Sequence, residues 1–294
     1  MNNILKGALI ANAASLGYNW IYNLPYLERL EKNESLVFKK ADAAKYKRAR
    51  KAVLAYPFAE IGDVSLQGEI AKWLFQALKE DQDFSAKAYQ DMVFEKIKPG
   101  GAYRGWIESY GKKLIFNQMI DDFELDNQPL NMDDDQLVGV VPYLVCKTLD
   151  LGNEKAWELA QVFTDNEDYK DIYAGLDAIF TSLDEDKDVK KALQTAIPKM
   201  PRPYGFKLAQ AIALEDTKPF LMNYVKTSCS IKDTIPLAFH IISRSENYEA
   251  AVKMNTKIGG ASSDRGMIIG AIYSQVSDIP KSWQETLNDK EIFA

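Results

Sequence analysis

Apolar residues recur at four-residue intervals along much of the chain. Leu66, Ile70, Leu74 and Leu78 fall on one face, as do Leu137, Val141, Val145 and Leu149. That spacing is the signature of amphipathic helices. Comparable runs predict helices over 84–97, 103–119, 154–164, 168–182, 187–197, 204–214, 231–243, 247–257, 265–276 and 281–288, separated by short polar or glycine/proline connections. The stretch Ile4 to Leu16 predicts the first helix; Lys6 and Asn12 interrupt it and no basic region precedes it, so it is not read as a secretory leader. Strand-like alternation is scarce and no heptad is sustained, so the expected fold is all-α: a compact single-domain multi-helix globule over 1–294 whose helices cross in several directions. The breaks at 98–101, 121–135 and 198–203 are too short or too complex for flexible linkers. The charged runs Lys45 to Lys51 and Asp184 to Lys191 read as solvated helix faces.

Composition narrows the classes of function. At 294 residues and 47% hydrophobic content the chain can bury a large core. A net charge of −6 without a basic stripe argues against nucleic-acid binding. No window of about twenty uninterrupted apolar residues suggests a membrane span. Cys146 and Cys229 have no metal-ligand spacing and read as small apolar residues of a reducing compartment, so a cytoplasmic location is expected. His240, the sole histidine, lies in an apolar helical run. It reads as a structural side chain, and no His-dependent triad is available.

Chemistry concentrates between Ile258 and Ala271. There a Gly259-Gly260 hinge, the oxygen side chains of Ser262, Ser263 and Asp264, and an apolar helix start follow one another. Such serines and aspartates can cap a helix, whose first N–H groups favour anions or polar ligands. Gly100-Gly101, followed by Tyr103, Arg104 and Trp106, offers rings and a guanidinium that either stack a ligand or pack internally.

Four segments in order carry a resemblance: Gly7-Ala-Leu-Ile-Ala-Asn12, Gly62-Asp-Val-Ser65, Asp133-Asp-Asp-Gln-Leu-Val-Gly-Val-Val-Pro142 and Gly259-Gly-Ala-Ser-Ser-Asp264, with Gly270-Ala271 and Pro280-Lys-Ser-Trp283 closing the series. Together they resemble the ADP-ribosylglycohydrolase family, and Leu16-Gly-Tyr-Asn-Trp-Ile-Tyr22 and Arg265 fit a divergent branch that includes lens crystallins. The resemblance implies an all-α fold and, for the family's enzymes, two magnesium ions that position an ADP-ribosyl group for cleavage of a glycosidic bond. This chain departs from the pattern. Asp63 is retained, but Gly62 and Val64 replace a hydroxyl and a carboxylate, and Ala261 and Ser263 stand at two aspartate positions. The resemblance therefore implies no tightly bound cofactor, with at most a weak single magnesium ion at Asp63 and Asp264. Arg265 is expected either between those two carboxylates, in place of metal, or on the surface. Ligand contacts are expected from Asn12, Ser65, Asp135, Gln136, Gly259, Gly260, Ser262, Ser263 and Arg265. Asp133 to Asp135 also suit the N-terminus of a helix beginning near Gln136.

Three functions follow as expectations. One is a binding protein for a small polar, nucleotide- or ADP-ribose-like ligand with weak or no hydrolase activity. The second is an active hydrolase of ADP-ribosyl or related N- or O-glycosidic bonds through Asp63 and Asp264. The third is a storage or interaction module that needs no pocket.

Overall fold

The computed structural model describes residues 3–293. The chain runs through α1 (Ile4–Ser15), α2 (Leu24–Glu31), α3 (Ala43–Ala49) and α4 (Leu66–Glu80). It continues through α5 (Ala86–Ile97), α6 (Ser109–Asp122), α7 (Val141–Thr148), α8 (Asn153–Ala160), α9 (Asp168–Asp186) and α10 (Val189–Ala196). The last stretch holds α11 (Gly205–Ala213), α12 (Thr217–Asn223), α13 (Ile231–Arg244), α14 (Tyr248–Ile258), α15 (Ser262–Tyr273) and α16 (Lys281–Thr286). Among the described residues there is no strand, only isolated bridges, two of which tie Ile21 to Ala52 and to Gly260.

α1 and α15 lie side by side at the centre. Every residue of α15, and every residue of α1 except Lys6, is buried. Helices without a polar face must be enclosed on all sides, and α4, α7, α13 and α14 supply the enclosure. Close approach depends on glycine: a Cβ on Gly270 would lie 2.2 Å from the Gly7 carbonyl oxygen. The stripe Leu66, Ile70, Leu74 and Leu78 is fully buried, as its spacing predicts. One continuous core reaches from Ile4 to Leu287. No helix among the described residues is long and apolar enough to cross a membrane.

Several boundaries differ from the sequence expectation for local reasons. α6 starts at Ser109, not 103, because Gly100 at φ +85° reverses the chain and Tyr103 N bonds back to Lys96 O at 2.9 Å. The helix expected near Gln136 opens as a 3-10 turn over Leu137–Val140 and becomes α-helical at Val141, with Pro142 in its first turn. α2 and α12, which the spacing does not predict, have eight and seven residues, about two turns each, too few for a helical period to stand out. The run Asp184 to Lys191 is not one helix face: α9 ends at Asp186 and Lys187 takes the left-handed conformation before α10. Lys45 to Ala49 belong to α3, which Arg50 terminates at φ +63°. His240 is fully buried, with its ring nitrogens against Ala211 O and Thr217 Oγ1. That is the structural placement expected of it.

Candidate functional site

The middle of α1 meets the starts of α4 and α15. Asn12 Nδ2 donates to Ser65 Oγ at 2.8 Å, and Ser65 N donates to Asn12 Oδ1 at 2.8 Å. Ser65 Oγ donates onward to Asp264 Oδ1 at 2.7 Å. Ser65 is also the N-cap of α4, accepting Gly68 N at 3.5 Å. An amide, a hydroxyl and a carboxylate from three distant segments thus form one buried chain.

Ser262 and Ser263 do not cap α15 as expected. The helix already begins at Ser262, and its N-cap position is Ala261. Their hydroxyls turn to α1, Ser263 Oγ donating to Asn12 O at 2.9 Å and Ser262 Oγ to Ser15 O at 3.4 Å. Gly259 and Gly260 take φ +77° and +67°, values that glycine adopts without strain. Gly260 pairs in both directions with the 20–21 segment, accepting Trp20 N at 2.7 Å and donating to Ile21 O at 2.8 Å. These glycines join the exit of α1 to the entry of α15.

Arg265 takes neither of its expected places. It is fully buried, and its guanidinium donates to Asn255 Oδ1 at 2.7 Å, Asn255 O at 3.2 Å and Gly259 O at 2.8 Å. It clamps the end of α14 rather than bridging Asp63 and Asp264. Burial lowers its pKa to about 9 against the opposing charges of Tyr22 and Asp264. Asp63 is drawn outward, accepting Glu60 N at 2.8 Å and Asn288 Nδ2 at 2.7 Å. The two expected catalytic carboxylates are therefore not joined. Asp135 accepts Ser230 Oγ at 2.5 Å, and Gln136 Nε2 donates to Ser109 Oγ at 2.6 Å. Neither bonds to the Asn12–Ser65–Asp264 chain.

The residue that does share Asp264's surroundings is Glu108, at the N-cap position of α6. Tyr56 OH donates to its Oε1 at 3.2 Å, and Leu66 N donates to Tyr56 OH at 3.2 Å. Among the described residues, Glu108 Oε2 and Asp264 Oδ2 are buried without a hydrogen-bond partner. Burial, and then the charge of Asp264, raise the Glu108 pKa well above the usual carboxylate range. Burial likewise lifts Asp264 to about 6, opposed by the Ser65 hydrogen bond and the Arg265 charge. In front of Tyr56 opens a cleft of about 400 Å³ whose walls include Phe58, Asp63, Glu69, Tyr103 and Trp106.

This arrangement sits on a chain whose residues 5–294 match the sequence profile described as ADP-ribosylglycohydrolase. The chain belongs to that family. No curated protein matches it significantly. A solved structure described as an ADP-ribosylglycohydrolase-related protein complex superposes with a TM-score of 0.61 at 14% identity, covering 98% of this chain and 93% of that one. At that identity the likeness speaks for the ADP-ribosylglycohydrolase fold alone.

The residues present do not fit the family's pair of magnesium ions. Hard divalent cations need several oxygen ligands, chiefly carboxylates. Here Val64 and Ala261 offer hydrocarbon, Ser263 is bonded to α1, Asp63 to Asn288, and Asp264 directly to Ser65. Among the described residues no three His, Cys, Asp or Glu side chains are grouped to hold a metal. Sequence reasoning had singled out Tyr103, Arg104 and Trp106 but missed Glu108, two residues further on. A glutamate beside a serine reads as exposed, and only the neighbouring aromatic cluster pointed to its place.

Proposed function

We propose that this member of the ADP-ribosylglycohydrolase family binds a polar small molecule and does not catalyse magnesium-dependent glycosidic hydrolysis. The observation that carries this reading is the Ser65–Asp264 hydrogen bond of 2.7 Å, with Asn12 holding Ser65 from the other side. With Ser65 engaged on both sides and Asp264 Oδ1 occupied, only Asp264 Oδ2 is left without a partner, and one oxygen is not the converging set that a hard cation needs. The adjoining cleft retains room for a small ligand, and ADP-ribose is the reference ligand that the family suggests.

The test is thermal denaturation and ADP-ribosyl hydrolysis with and without millimolar magnesium. A cation that binds the native state must raise its stability. Magnesium is expected to leave Tm unchanged and to accelerate no hydrolysis. A magnesium-dependent rise in Tm, lost in Asp264→Ala, would overturn the proposal.

One observation favours a second reading. Glu108 and Asp264 are buried carboxyls with raised pKa values, the condition of a general acid beside a second carboxylate. A metal-free hydrolase would then act through Glu108 and Asp264, not through Asp63. Hydrolysis that persists in a chelator and disappears in Glu108→Gln identifies it.

A further inference from the structure

We propose that this chain associates with a second copy of itself, the acidic and apolar loop after α6 of one copy docking on the basic surface at the end of α3 of the next.

The basic surface stands against the charge of the whole. The chain carries −6, yet Lys47, Arg48, Arg50 and Lys51 place four exposed cations within five positions. Among the described residues none of these four side chains has an acidic partner, although their neighbours Lys40 and Lys45 are paired with Glu60 and Glu34. Like charges held this close repel one another, and an anionic partner relieves that repulsion. Arg50 ends α3 at φ +63°, and the chain then runs beside the 21–22 segment, where Tyr22 N donates to Lys51 O at 2.7 Å. The Ile21–Ala52 bridge holds the two together. Tyr22 and Val53 are 38% and 46% exposed, so the surface has an apolar part beside its cations.

The complement lies on the same chain. Every residue from 121 to 130 is exposed. Asp121, Glu124 and Asp126 have no cationic partner among the described residues, and between and beyond them stand Phe123, which is 66% exposed, Leu125 and Leu130. The loop is held in shape. Leu125 N donates to Ile120 O at 3.0 Å, and Asn117 brackets Leu130, donating to its carbonyl at 2.8 Å and accepting its N–H at 2.7 Å. A segment already ordered loses less freedom on docking. Large apolar side chains set among charges mark an association surface, and charges of opposite sign on its partner fix the register. No ion pair joins the two surfaces within one chain among the described residues, so both are available to another copy. Nucleic acid fits less well, since these four cations do not extend into a basic stripe that could follow a backbone.

The test is sedimentation velocity of the full chain from micromolar to millimolar concentration, at about 0.1 M and about 1 M salt, where the Debye length is about 10 and 3 Å. The sedimentation coefficient is expected to rise with concentration at the lower salt, and most of that rise to vanish at the higher. Lys47→Glu with Lys51→Glu should weaken association at least about tenfold, and so should Asp121→Lys with Glu124→Lys. All four positions are exposed, and circular dichroism checks that each double variant is folded; if one is not, Lys47→Glu or Glu124→Lys alone takes its place. Mixed in equal amounts, the two variants should associate about as the parent does, because each surface then meets one of opposite charge. A chain that stays monomeric throughout overturns the proposal. So does association indifferent to salt, association that either variant leaves unchanged, or a mixture that does not recover it. A monomeric chain that instead binds a duplex oligonucleotide, and loses it with Lys47→Glu and Lys51→Glu, assigns the basic surface to nucleic acid and overturns the proposal too.

Discussion

Asp264 carries its negative charge at a cost, because its surroundings are dry and its neighbour Glu108 is also acidic. Its pKa is raised on folding from 3.8 to about 6. The unfolded chain thus releases this proton near pH 4 and the folded one near pH 6. Between those values the native state holds more protons, so stability falls as pH rises. Two pKa units correspond to about 3 kcal/mol. Asp264→Asn, which keeps an acceptor for Ser65, should therefore gain stability relative to the parent between pH 4 and pH 7. Urea denaturation at the two pH values measures the difference; a constant offset would refute the assignment. At this scale the sequence was partly legible. Val64 and Ala261 are hydrocarbon wherever they point, so it could be read directly that neither can ligate a cation. Arg265 could not, because its direction is set by Asn255 and the Gly259 carbonyl, partners that no spacing rule names. The course of Asp63 could not be read for the same reason: its partner Asn288 lies 225 residues away.

The helices with a clear apolar stripe, such as α4, were the easiest elements to read. α1 and α15 are different, since burial on every side erases the periodicity that marks a half-exposed helix. Their mutual approach instead leaves its mark in glycines. Gly270→Val should force the two helices apart, costing about 1–3 kcal/mol or more, as overpacking does. The urea midpoint should fall while the slope of the transition is unchanged; an unshifted midpoint would show that the contact yields easily. Proline marks another element whose helix the sequence pattern alone does not guarantee. Pro236 lies inside α13 and cannot donate to Lys232 O, and Lys207 Nζ reaches that carbonyl at 3.3 Å. A side chain from α11 thus repairs a backbone defect in α13.

Across the whole molecule, the all-α class and the family were legible because ordered segments from Gly7 to Trp283 survive in the sequence. The site was less so, because the cleft beside the Asn12–Ser65–Asp264 chain is walled largely by loops whose course depends on tertiary contacts. The C-terminal residues illustrate this. Asn288 N donates to Gly62 O at 3.0 Å, Asp289 meets Lys72, and Phe293 packs on Phe75 with ring centroids 5.5 Å apart. With α1 and α15 each forming the other's enclosure, neither can leave without exposing the core. Tryptophan fluorescence and far-UV circular dichroism should therefore report one coincident unfolding transition. Separated transitions would reveal an independently stable part.

The same central pair sets a schedule for biosynthesis. Ser15 at the end of α1 and Ser262 at the start of α15 are 247 positions apart. At about 5–20 residues per second, a ribosome needs roughly 12–50 s to cover that interval. For all of it, the apolar first helix is without its principal partner, which has not been made. Folding of the centre must therefore await synthesis of α15, and until then an apolar helix without its partner is a surface open to misassembly.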